Sequence, residues 1–75
     1  MNTKIIAERI RELRTENNLS QAKFGEKLGL SQDTISLWET GKSLPSLEDV
    51  LKIIETFSKH NDRITADYLL GLDIY

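Results

Sequence analysis

Cysteine is absent from these 75 residues, and proline and histidine occur once each, as Pro45 and His60. Without cysteine there is no disulfide framework and no cysteine-ligated zinc or iron–sulfur centre. A single histidine removes the His-rich zinc sites too, so neither a metal nor another cofactor is expected. Long apolar runs are also missing: the longest are Ile5-Ile6-Ala7 and Tyr68-Leu69-Leu70. Runs that short cannot span a bilayer or serve as the h-region of a secretory signal, and the expectation is a reducing, cytoplasmic location without a membrane. There is no internal repeat, low-complexity tract or Gly/Ser linker, so residues 1–75 read as one domain. A chain this short buries only about 60% of its unfolded surface, so its apolar positions must be used economically.

An excess of basic charge is lacking as well. Lys and Arg number 10 against 12 Asp and Glu, a net charge of −2, which at first sight disfavours nucleic acid as a partner. The deficit is local. Residues 1–44 carry Lys4, Arg9, Arg11, Arg14, Lys23, Lys27 and Lys42 against six acidic side chains, for +1, whereas residues 45–75 sum to −3. Any nucleic-acid surface therefore belongs to the first half, with the second half facing solvent or a protein partner.

What is present is helical. Ile5, Ile6, Ile10 and Leu13 recur at helical spacing until Asn17-Asn18, residues that favour turns. Ser20 is a natural N-cap for a second helix that turns Ala22, Phe24 and Leu28 inward and ends at Gly29. Ser31 caps a third, with Ile35 and Trp38 on its inner face and Gly41 as its stop. Pro45 and Ser46 open a fourth, where Ser46 and Asp49 have capping-box spacing and Leu47, Val50, Leu51, Ile54 and Phe57 form the expected buried stripe. Thr65 caps a short fifth helix from Ala66 to Leu70, closed by Gly71. No stretch alternates with period two for long enough to suggest a sheet. The fold class is all-α, with Phe24, Trp38 and Phe57 as core. His60, among Lys59, Asn61 and Asp62, reads as a solvated loop residue.

The region from Ser20 to Lys42 is the informative one. Two short helices meet here across a corner at Gly29, where a residue free to adopt positive φ is needed. With Gln21 as the first position, Phe24, Gly25, Leu28, Gly29, Leu30, Ile35 and Trp38 satisfy seven constrained positions of the helix-turn-helix pattern together. Gly25 falls where the two helices approach most closely and a side chain would clash. Catalysis has no comparable signature. Ser20, Ser31 and Ser46 are explained by capping, no histidine stands beside them, and the carboxylates follow helix surfaces, so no enzyme is expected.

An α-helix fits the major groove of B-DNA, and its first residues reach base edges when the N-terminus is inserted. Gln32 carries a donor and an acceptor at one tip, the arrangement that pairs with adenine, a contact worth about 1–3 kcal/mol of discrimination. Leu37 is either a match for a thymine methyl or a scattered surface leucine. Asp33 either accepts from cytosine N4 or stabilises the free N–H groups of the helix start. Lys42, with Lys23 or Lys27 as helpers, is left to attract the phosphate backbone.

The run from Ser20 to Gly25 and on through Ser31 to Lys42, with Pro45-Ser46-Leu47 and Asp67 to Gly71, resembles the Cro/XRE family of phage-repressor-type regulators over nearly the whole chain. The resemblance implies a compact five-helix, lambda-repressor-like domain with the helix-turn-helix at about residues 20–41. It also implies a homodimer that binds a palindromic double-stranded DNA operator as a transcriptional regulator, with repression expected. Under it, Gln32, Asp33, Thr34, Ser36 and Leu37 occupy the base-reading positions, while Gln21, Thr40, Lys42 and Ser43 meet the backbone. Arg14 and Glu39 match a structural ion pair between the first and third helices. A dimer contact is expected from the last helix and tail, through Leu69, Leu70, Leu72, Ile74 and Tyr75, unless these merely close the core. The rival expectation is a protein-interaction module on the same fold, such as an antitoxin or a partner-binding subunit of a regulatory complex.

Overall fold

The computed structural model describes residues 3–58 and 64–72. His60 and the tail residues Ile74 and Tyr75 lie outside them. Among the described residues there are five α-helices and no strand: α1 (Thr3–Glu16), α2 (Gln21–Leu28), α3 (Gln32–Glu39), α4 (Leu47–Phe57) and α5 (Ala66–Leu70). None is long and apolar enough to cross a membrane.

Local chemistry sets the boundaries. Ser20, Ser31 and Thr65 each accept, through the side-chain oxygen, a hydrogen bond from the backbone N–H three residues on. Each satisfies one donor that a helix start leaves without an intrahelical partner. Ser46 and Asp49 complete a reciprocal capping box at α4, with bonds of 3.1 and 3.2 Å. α1 ends where Asn18 takes φ 57°, a left-handed conformation that asparagine tolerates better than most residues.

The core joins all five helices: Ile6, Ile10 and Leu13 from α1, Phe24 and Leu28 from α2, Ile35 and Trp38 from α3, Val50 and Ile53 from α4, Leu69 from α5, and Ile64 just before it. Phe24 and Phe57 stack with centroids 4.9 Å apart and planes inclined by 12°, which locks α4 onto α2. α5 is held to α1 by Arg9, whose Nη1 donates to the Tyr68 carbonyl at 3.0 Å and whose guanidinium lies 4.3 Å from the Tyr68 ring centroid. The Tyr68 hydroxyl donates to Glu12 at 3.3 Å.

Three inward assignments from the sequence are corrected. α4 is apolar on more than one face, and the buried one is Val50 and Ile53 with Ile54 and Phe57 beside them. Leu47 and Leu51 are instead 72% and 53% exposed, because the Phe24–Phe57 stack fixes the rotation of the helix. Ala22 is exposed, since α2 presents Phe24, Gly25 and Leu28 to the interior and Ala22 lies off that stripe.

Candidate nucleic-acid interface

The corner between α2 and α3 is built on two glycines. Gly29 adopts φ 72°, and its N–H caps α2 by bonding to carbonyls of the last turn. Leu30 N–H then donates to the Gly25 carbonyl at 2.8 Å, drawing the turn against α2. A Cβ on Gly25 would stand 2.7 Å from the Leu30 carbonyl oxygen and 3.1 Å from that of Ser31, both backbone atoms that cannot swing aside. The close approach inferred from the pattern is thus a physical contact.

α3 is anchored by its inner face, where Ile35, Trp38 and Glu39 are buried. Its outer face carries Gln32, Asp33 and Leu37, all exposed, with Ser36 half-buried between them. Thr34 is half-buried and turned toward the cap, its hydroxyl 3.0 Å from that of Ser31. Gln32, Asp33, Ser36 and Leu37 therefore form one strip along the helix, as residues four apart must. Asp33 sits in the first turn, where a carboxylate complements the helix dipole.

The segment after α3 wraps its C-terminus. The backbone N–H groups of Lys42 and Ser43 both donate to the Leu37 carbonyl, at 3.0 and 3.2 Å, and the Thr40 hydroxyl bonds to the Ser36 and Leu37 carbonyls. The Lys42 and Ser43 N–H groups are thus occupied, and these residues can meet an anion only through their side chains. Lys42 is fully available for that, being exposed. Lys23 is 3.2 Å from Glu26 on the same helix turn, an exposed pair of little energetic weight.

Behind the exposed strip of α3 lies a charged cluster. Glu39 is buried, with a side chain 1% exposed. Arg14 of α1 grips it with Nε at 2.6 Å from Oε2 and Nη2 at 3.0 Å from Oε1, and extends Nη1 to the Leu19 carbonyl at 2.9 Å. Gln21 Nε2, at the start of α2, donates to the same Oε1 at 3.3 Å, and Arg11 Nε reaches it at 3.4 Å. One carboxylate thus ties α1, α2 and α3 together. Burial pushes the Glu39 carboxyl up. The hydrogen bonds from Arg14, Gln21 and Arg11 and the Arg14 charge outweigh it and hold the group below its ordinary value. Arg14 is raised in turn, chiefly by its hydrogen bond to Glu39. No buried side-chain nitrogen or oxygen among the described residues lacks a partner.

Sequence reasoning did not find Arg11 in this cluster or Arg9 on Tyr68. The available signal was weak: Arg11 and Arg14 are three apart and share a face of α1, but nothing in the order of residues says which carboxylate lies opposite.

At the other end of the chain, Leu69 is 1% exposed and closes the interior, while Leu70 is half-buried and packs beside the core. Leu72 is 47% exposed.

Comparison with known proteins agrees with this architecture. The family model described as a helix-turn-helix matches residues 10–60. The chain is 40% identical over 64 residues to the HTH-type transcriptional activator BcrR of Enterococcus faecalis, a match covering 85% of this chain and 29% of that protein. It is 34% identical over 74 residues to the repressor protein C2 of Salmonella phage P22, covering 99% of this chain and 32% of the repressor. An uncharacterised HTH-type transcriptional regulator of Bacillus subtilis, YgzD, is 40% identical over 50 residues, 67% of this chain and 76% of that protein. The chain spans about a third of the length of the activator and of the phage repressor. No solved structure gives a significant match. With the helix-turn-helix model covering most of the residues and 99% of this chain aligned to part of a phage repressor, the chain belongs to the Cro/C1-type helix-turn-helix family, with its fold of lambda-repressor type.

Proposed function

We propose that this chain is a sequence-specific DNA-binding module that regulates transcription from the cytoplasm, acting as a repressor. α3 enters the major groove of a palindromic operator, and two copies bind together. The observation that carries the reading is the division of α3 into a buried face fixed by Ile35, Trp38 and Glu39 and an exposed strip of Gln32, Asp33, Ser36 and Leu37. A helix so held presents a fixed pattern of donors, acceptors and apolar surface, which is what direct readout of base edges requires. Thr34 supports the strip from the cap. Gln21, Lys42 and Ser43 flank it as backbone contacts; Thr40, whose hydroxyl is already donated within the helix end, has only acceptor capacity left and is the weakest of the four. The repressor reading leans on the phage relative, whose match runs over 99% of the chain.

Selection of bound sequences from a random duplex pool tests this directly. The expected result is a two-fold symmetric site with half-site centres about one helical turn apart. On that site, Gln32→Ala relaxes preference at one position by about 1–3 kcal/mol, whereas Lys42→Ala weakens all sequences alike and lowers the salt slope by about 1. Uniform loss in both variants would show that α3 is not reading bases through Gln32. Exposed Leu47 and Leu51 on α4 favour the rival, a protein-interaction module, and failure to enrich any sequence while a protein partner is bound tightly would establish it.

A further inference from the structure

We propose that Arg11 of α1 is a phosphate-contacting residue of the interface, held beside Gln21 by the carboxylate of Glu39. The proposal rests on the DNA-binding reading and adds to it a cation from a helix outside the helix-turn-helix pair.

The geometry is that of three donors on one oxygen. Glu39 Oε1 receives Arg14 Nη2, Gln21 Nε2 and Arg11 Nε at 3.0, 3.3 and 3.4 Å. The Gln21 and Arg11 nitrogens are therefore less than about 7 Å apart, so one phosphate group or two neighbouring ones on a strand can touch both. The three arginine and glutamate charges do not cancel. Arg14 is matched to Glu39 by two short bonds and is only 16% exposed, so its charge is spent. Arg11 makes two long contacts, 3.4 Å to the carboxylate and 3.5 Å to the Glu39 carbonyl, and its side chain is 58% exposed. One net positive charge is thus left at the surface, next to the N-terminus of α2. The backbone N–H groups of that helix start favour an anion as well.

Arg11 is also easy to redirect. Long, exposed ion contacts hold little free energy, so turning the guanidinium from Glu39 to a phosphate gives up almost nothing and gains a charge-assisted, two-pronged bond. Glu39 keeps Arg14 and Gln21 when Arg11 leaves. The cluster therefore acts as a positioning device: the buried carboxylate braces the recognition helix and at the same time parks a cation where the backbone passes. In a molecule whose net charge is −2, each such cation counts.

The test measures affinity against salt concentration for the wild type, Arg11→Gln, Arg11→Lys and Lys42→Ala. Each is assayed on a duplex of the selected sequence and on an unrelated duplex of equal length. The expected result for Arg11→Gln is a similar fold-loss on both duplexes and a slope of log affinity against log salt reduced by about 1, with Arg11→Lys restoring the slope. Thermal unfolding of Arg11→Gln should stay close to wild type, because Arg14 still neutralises Glu39. If Lys42→Ala lowers the slope and Arg11→Gln does not, the assignment of Arg11 is wrong and the DNA-binding reading survives. The assignment also falls if Arg11→Lys fails to restore the slope. A wild type that binds neither duplex in a salt-dependent way overturns the functional reading and this inference together.

Discussion

Glu39 shows how much a single residue can be asked to do. A carboxylate is buried at tolerable cost only when its lone pairs are filled by charged or polar donors, and Arg14, Gln21 and Arg11 fill them. Removing one partner of such a pair leaves an uncompensated charge. Arg14→Ala is therefore expected to lose about 3 kcal/mol of unfolding free energy in urea, and a loss within error of zero would show that the cluster is not structural. The acid dependence follows from the direction of the Glu39 shift. Its carboxyl is held below the ordinary value of 4.5, so folding favours the ionised form. That contribution is fully present above the unfolded value and drains away as the pH falls through 4.5 and below it. Stability measured from neutral pH downward should fall more steeply in the wild type than in Glu39→Gln, whose amide has no proton to gain. The pairing of Arg14 with Glu39 was open to sequence reasoning through the family pattern. The third and fourth donors were not, because convergence on one oxygen depends on how three helices pack.

Helices one to three and five were legible as elements because caps, turn residues and apolar spacing coincide at each. Ser20, Ser31, Ser46 and Thr65 all accept the cap bond expected of them. α4 was legible in extent, and Val50, Ile54 and Phe57 of its expected stripe pack inward, whereas Leu47 and Leu51 face solvent and Ile53 takes the inward place. Its apolar residues form two overlapping stripes, Leu47-Leu51-Ile54 and Val50-Ile53-Phe57, and periodicity alone does not choose between them. The choice is made by Phe57 stacking on Phe24, a contact between elements that no local pattern contains. Ile64, 2% exposed, was missed for a related reason: it precedes α5, where no helical period applies. The rotation makes a sharp prediction at this scale. Ile53→Ala should cost about 2–5 kcal/mol as a cavity forms, while Leu51→Ala, on the solvent side, should change stability by no more than about 0.5 kcal/mol. Equal costs in chemical denaturation would restore the stripe read from the sequence.

At the scale of the whole chain, charge and size both bear on the proposed pairing of two copies. The described fold measures 33 × 29 × 21 Å, and its long dimension is close to the spacing of about 34 Å between half-sites one helical turn apart. In the proposed arrangement, two copies on such a site have room to lie side by side. On the proposed face one copy offers few cations, Lys42 and Arg11 beside Gln21, and the −3 charge of residues 45–75 works against attraction to phosphates. Since log affinity falls with log salt in proportion to the phosphates neutralised, a single copy should bind weakly with a shallow slope. A pair should bind with about twice that slope, because each half contributes its own contacts. The measurement is a salt titration on the full selected site and on a duplex bearing one half-site, with sedimentation to count chains per duplex. Two chains per full site, and a slope about double that of the half-site, are expected. Leu72 is the exposed apolar residue nearest the tail among those described, so Leu72→Asp should lower affinity for the full site and leave the half-site unchanged. One chain on a saturated full site, with equal slopes on both duplexes, would mean that each copy reads DNA alone and that its acidity is offset by contacts other than pairing.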